Sequence, residues 1–365
     1  ATAGGACLAD GHELRGKVPM TLHARRFRRT IGIDYSGAQT AESSLKGLRV
    51  FETVEDGPAL EVLPPPSPRK YWTRRGLAGW LIEELARDTS TIVGIDHGFS
   101  FPIRYFERHG LVPDWGTFLE DFCDHWPTDA PHTYVDFVRD GSVGNGAARS
   151  GERTWRRVTE EATGSAKSVF HFDVQGSVAK STHAGIPWLR HIRHAHPNLH
   201  FWPFDGWAPP EGKSVIVETY PRIWSSDYPR EDRTQDQHDA YAIARWLQDA
   251  DSTGALSAAF QPPEPESIAG YAAVEGWILG ANWPPAKKAG RRRKAASKDH
   301  AATTSPGYVN RNRQEVLQRT DQPGNDHNQV VYLLLCHDCG NRYGANGSDI
   351  FQRKCPACGA GRPGL

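Results

Sequence analysis

The chain has 365 residues, 38% of them hydrophobic, with twelve Trp, which is enough apolar material for one large core or two unequal ones. No run of eighteen apolar residues is present, so the sequence offers nothing to cross a membrane. Formal net charge is zero but unevenly placed: residues 281–365 carry fourteen Lys/Arg and six Asp/Glu, a net of +8, leaving −8 on the first 280 residues. A basic tail on an acidic body suits a nucleic-acid partner, the tail attracting phosphate and the acids holding metal; a solvated linker gives the same pattern.

Residues 1–29 read as a flexible, polar N-terminal extension without the apolar core of a signal peptide. The only methionine is Met20, so residues 1–19 read as an addition with little structural role. Residues 30–280 alternate short β-like runs with helical patterns, predicting an α/β domain. "TIGIDYSG" is a first strand that ends in Asp34, and "LKGLRVFETV" and "ALEVL" form a hairpin around "EDGP". "TRRGLAGWLIEELARD" follows as an amphipathic helix with Thr73 as N-cap. "STIVGIDHGFSFP" is a strand apolar on both faces that ends in Asp96.

About a hundred aromatic- and His-rich residues then close with a helix and a strand around Leu199–Trp202. "KSVIVETYPRIW" is a further buried strand carrying Glu218. "TQDQHDAYAIARWLQDA" is a helix with Ala242, Ile243, Trp246 and Leu247 inward and Asp236 and Asp239 near its start. "AAVEGWILG" (272–280) closes the domain, 281–328 reads as a basic flexible linker, and 329–365 is a small Cys-bearing module.

The strands share a peculiarity: apolar runs that end at, or contain, an acid. One unpaired buried carboxylate costs several kcal/mol, and clustering several adds repulsion. A divalent cation removes both penalties, and hard oxygen ligands suit Mg²⁺ or Mn²⁺. Taken singly, Asp34 and Asp96 are also ordinary turn starters, and Asp236 and Asp239 suit a helix N-terminus. Glu218, between "VIV" and "TYP", has no such local reason.

The second cluster is C-x₂-C-x₁₅-C-x₂-C, formed by Cys336, Cys339, Cys355 and Cys358. This spacing predicts a closed tetrahedral thiolate site for structural Zn²⁺ in a reducing, cytoplasmic setting. Neighbouring Arg342, Arg353 and Lys354 tilt the module toward nucleic acid, with a protein partner as the alternative. "KKAGRRRK" (287–294) reads equally as a phosphate-binding segment or a solubilising linker. "VQGSVAKST" lacks the glycines of a P-loop, leaving Lys180 as a minor phosphate candidate. The histidines of 183–200 read as packing or solvated, and Arg74 and Arg75 as surface residues.

The segments "IGIDYSGAQ", "VGIDHGFSFP", "GIPWLRHIR…HFWPFDGW", "VIVETYPRIW" and "DQHDAYAIARWL" occur in an order that resembles an uncharacterised bacterial family of predicted nucleases with an RNase H-like fold. The likeness covers about residues 30–250. It implies a mixed sheet of order 3-2-1-4-5 flanked by helices. The C-terminal module resembles a zinc ribbon. The resemblance further implies hydrolysis of DNA or RNA with Mg²⁺ or Mn²⁺ by a two-metal carboxylate mechanism. Its metal-binding catalytic residues would be Asp34, Asp96 and Glu218, with Asp239 on the last helix as in RuvC-like resolvases. Two other classes compete: an actin/hexokinase-like ATP-dependent phosphotransferase, and a non-catalytic scaffold that binds nucleic acid or a protein partner.

Overall fold

The computed structural model describes residues 24–66, 70–174, 176–284, 303–324 and 330–363, which fall into two compact units, 24–284 and 303–363. "KKAGRRRK", and the first 23 residues of the expected N-terminal extension, lie outside the described residues.

The larger unit is α/β. Strand β1 (Arg29–Asp34) pairs antiparallel with β2 (Arg49–Val54), which pairs with the two-residue β3 (Leu60–Glu61). Helix α1 (Arg74–Leu85) starts where expected, because the Thr73 hydroxyl accepts the Gly76 N–H at 2.9 Å. Strand β4 (Thr91–Asp96) lies parallel to β1.

The His- and aromatic-rich insertion folds as α2 (Ile103–His109), α3 (Trp115–His125), α4 (Val135–Arg139), α5 (Val158–Thr163) and α6 (Ala179–Ala195). His183 sits at its centre, wholly buried among Phe101, Phe122, Trp126 and Phe172, a packing histidine as read from the sequence. Strands β5 (His200–Trp202) and β6 (Val215–Glu218) follow, then α7 (Gln235–Ser252), α8 (Ala255–Ala259) and α9 (Glu266–Glu275). After α9, Ile278 bridges to Glu218 and the Leu279 N–H donates to the Glu218 carbonyl, so this segment does close the unit.

The sheet is mixed and helix-flanked, in the order β3-β2-β1-β4-β6-β5, with six strands where the family likeness implied five in the order 3-2-1-4-5. The difference arises after α6. Strand β5 takes the outer position, and residues 203–214 return the chain so that β6 slots between β4 and β5, parallel to both. Central β1, β4 and β6 are buried along most of their length, which is why their sequences run apolar rather than alternating.

Two boundaries differ from the sequence expectation. Residues 24–29 belong to the folded unit: Phe27 is buried, and its N–H and that of Arg26 donate to the Asp251 carboxylate. Residues 303–324, expected within a linker, carry β7 (Gln314–Pro323), the first strand of the second unit's antiparallel sheet. It pairs with β8 (Val330–Cys336), which pairs with β9 (Arg342–Asn346). Its polar composition reflects a strand whose second half is largely exposed, so charge and polarity did not mark it as folded.

Candidate functional site: an aspartate edge and a thiol cluster

The aspartate edge is built by two glycines. Gly32 and Gly94 are register partners on β1 and β4, each two residues before its strand's terminal Asp. A Cβ on Gly32 would lie 2.2 Å from the Ala240 carbonyl oxygen, and one on Gly94 would lie 2.6 Å from Ile243 Cγ2. Only glycine lets α7 lie this close to the sheet. With Ala240 and Ile243 seated there, the preceding turn of α7 brings Asp236 and Asp239 over the strand ends. Asp34 and Asp96 are register partners and point to that same face. Asp236 lies beside the loop after β1, since a Cβ on Gly47 would sit 3.5 Å from its Oδ2 and 3.6 Å from Ser36 Oγ.

The electrostatics match this arrangement. Burial and then the charges of Asp96, Asp236 and Asp239 hold the Asp34 carboxyl well above its usual range, against a smaller opposing pull from the Arg49 guanidinium. Burial pushes Asp96 up to about 8, with Asp239 and Glu218 adding to the rise. Asp239 is raised as well, chiefly by burial, although the Gln235 amide donates to both its oxygens at 3.0 and 2.9 Å. Among the described residues, no ion pair or side-chain hydrogen bond satisfies Asp34 or Asp96. Thr219 Oγ1 is also buried without a hydrogen-bond partner among them.

Glu218 does not join this group. It registers with Ile95, one residue before Asp96, so alternation turns it to the opposite face. There Arg157 grips both its oxygens, Nη2 to Oε1 at 2.6 Å and Nη1 to Oε2 at 2.8 Å, and the Phe99 N–H donates to Oε2 at 3.0 Å. The expectation that Glu218 completes a metal shell with Asp34 therefore meets a side chain already committed to a cation. The structure brings together Asp34, Asp96 and Asp239 and adds Asp236. The signal for Asp236 was its i, i+3 spacing from Asp239, which puts both on one helix face. Nothing in "RTWRRVTE" marks Arg157, whose partner lies 61 residues away.

An oxygen-only donor set is the type a hard divalent cation takes. The arrangement is open: among the described residues, only the four cysteines bring three or more candidate ligand atoms within 4.8 Å of one another.

Other basic candidates are already engaged. Arg74, expected at the surface, is buried and donates to the carbonyls of Ser36, Ala38 and Gln39, pinning the loop that follows Asp34. Lys180 pairs with Asp136 at 2.6 Å, and the half-exposed Arg75 with Glu42 at 3.0 Å.

In the second unit, Cys336, Cys339, Cys355 and Cys358 converge as free thiols that could hold a metal such as Zn²⁺. Cys336 and Cys358 Sγ are 3.6 Å apart, as are those of Cys339 and Cys355. A tetrahedral site with 2.3 Å Zn–S bonds requires about 3.8 Å. Burial raises the Cys336 thiol, but the Gln314 amide and the backbone N–H groups of Asp338 and Cys339 outweigh it and bring the thiol down to about 6. Cys355 is lowered as well, whereas Cys339 and Cys358 are raised by hydrogen bonds to other sulfurs of the cluster, so two of the four favour the thiolate form a metal needs.

Compared with known proteins, the chain matches no family model, no curated protein and no solved structure. Among the described residues, no helix is long and apolar enough to cross a membrane.

Proposed function

We propose that this protein is a divalent-metal-dependent nuclease of RNase H-like design, hydrolysing phosphodiester bonds of DNA or RNA, with a zinc ribbon as its second unit. One observation carries the reading: Asp34 and Asp96, adjacent at the ends of parallel strands, face two more aspartates on α7 with no cationic side chain bonded to either strand acid.

Asp34 and Asp96 would hold the ions from the sheet, and Asp239 and Asp236 from the helix. Bound Mg²⁺ or Mn²⁺ supplies activation of water and charge stabilisation at the leaving oxygen of a phosphodiester. The chain's own part is to keep these carboxylates in place before the ion arrives. Gly32 and Gly94 set the helix-to-sheet distance, and Arg74 fixes the loop beyond Asp34. Without an ion, the raised carboxyls of Asp34 and Asp96 retain protons that binding must displace, so affinity should climb with pH. The thiol cluster, closed by four sulfurs, has a structural part.

Labelled DNA and RNA incubated with Mn²⁺ test the reading. Hydrolysis abolished by EDTA and by Asp34→Asn is expected; hydrolysis indifferent to both would end it.

A further inference from the structure

We propose that Arg157 and Glu218 are a positioning pair that fixes the loop leaving β4 and thereby aims the Asp96 carboxylate at its cation. This rests on the metal-dependent reading above.

Asp96 is the last residue of β4, so its orientation depends on the next three residues. Each of their backbone N–H groups has a designated acceptor. His97 donates to the Ile95 carbonyl at 3.1 Å, Gly98 to Thr182 Oγ1 at 2.9 Å, and Phe99 to Glu218 Oε2 at 3.0 Å. Gly98 has no room for a side chain: a Cβ would lie 2.8 Å from Val169 Cγ1 and 3.2 Å from Arg157 Nη2. The loop is therefore clamped between Thr182 of α6, Val169 and the Glu218 carboxylate.

That carboxylate is itself held. Arg157 forks onto both its oxygens, bonds Glu160 through Nε at 3.0 Å, and donates to the Glu275 carbonyl at 3.1 Å. Glu275 in turn accepts the N–H groups of Ile103 and Val158 at 2.7 and 2.6 Å. A buried ion pair adds little net stability over an apolar contact. Its contribution here is direction. The planar fork fixes the plane of the Glu218 carboxylate, and that plane points Oε2 at the Phe99 N–H. Outer groups that orient a metal-binding side chain are typically worth about 10–100-fold in affinity or activity.

Calorimetric titration of the full chain with Mn²⁺, beside hydrolysis at saturating Mn²⁺ and hydrogen exchange of residues 96–103, tests the assignment. Glu218→Gln and Arg157→Lys should each weaken Mn²⁺ binding about tenfold, with the double variant no weaker than the worse single, because the two act as one unit. Saturating Mn²⁺ should restore most of the rate, and exchange should rise in 96–103. Two results overturn the proposal. If Glu218→Gln abolishes Mn²⁺ binding as Asp96→Asn does while Arg157→Lys binds normally, Glu218 is a direct ligand. If both singles bind Mn²⁺ as the parent does, the pair only holds the fold. A parent protein that binds Mn²⁺ with this variant pattern yet cleaves no nucleic acid would sink the nuclease reading and leave the positioning pair standing. A parent that binds no Mn²⁺ sinks both.

Discussion

The two candidate metal sites solve opposite problems. In the second unit, four thiols come from two short Cys-x₂-Cys turns, their sulfurs are nearly in contact, and two of the cysteines, Cys339 and Cys358, are exposed. In the first unit, four aspartates come from two strands and a helix, repel one another, and stay more widely spaced than a single-ion cage. A closed thiolate site exchanges folding energy for a metal that does no chemistry. An open carboxylate site stores unfavourable charge in a rigid frame, and leaves coordination positions for substrate. Rigidity for the aspartates therefore has to come from elsewhere: glycine-tight packing on one face of the sheet and the Arg157–Glu218 pair on the other.

Four experiments press on that contrast, the largest effect first. Stripping metal with a strong chelator, or substituting Cys336→Ser, should unfold residues 303–363. A structural Zn²⁺ contributes about 10–16 kcal/mol in small thiolate modules. Hydrogen exchange should show 24–284 still protected. Uniform protection of both units without metal would break the contrast at its thiol end.

Next, Asp96→Asn should reduce Mn²⁺-dependent hydrolysis by ~10³-fold or more, about 4 kcal/mol of transition-state stabilisation, while leaving zinc content unchanged by elemental analysis. Gly32→Ala should then cost about 3 kcal/mol in a denaturant melt, because the new methyl group meets the backbone of α7 at Ala240. It should also weaken Mn²⁺ binding, since α7 carries half of the aspartates.

The smallest effect is a pH dependence. The folded-state Asp96 lies near 8 against an ordinary 3.8, so its contribution favours the fold fully below about pH 4. That contribution is lost as pH rises toward 8. Melts in EDTA between pH 5 and 9 should show the parent losing on the order of 2 kcal/mol relative to Asp96→Asn, a few degrees in Tm. Saturating Mn²⁺ should cancel the slope. Parallel melting curves for the two proteins at every pH would remove the charge argument from the aspartate edge.

What the sequence disclosed follows the same division. The thiol cluster was legible because its ligands lie within two local turns, where spacing alone fixes geometry. Helix α1 was legible from Thr73 and the Leu77, Leu81, Leu85 stripe, and β1 and β4 from their unbroken apolar runs. Sidedness was not. Whether Glu218 stands beside Asp96 or beside Ile95 depends on a one-residue choice of register between β4 and β6, which reverses the face of every side chain on the strand. Burial of Arg74 was likewise hidden, because the loop whose carbonyls it caps is formed only once β1 and α1 are packed. The place of β6 inside β5 was a matter of long-range pairing, which local patterns do not encode.

The central position of β8 in the second unit has a practical corollary. Its "VVYLLL" segment is covered along both sides by β7 and β9, and Gln314 of β7 also bonds Cys336 Sγ. A fragment cut at residue 329, where composition places the module's start, would strip one flank from the most apolar strand. It would expose a bare hydrogen-bonding edge to other copies. Precipitation of such a fragment would then reflect where it was cut and say nothing of the intact module's solubility.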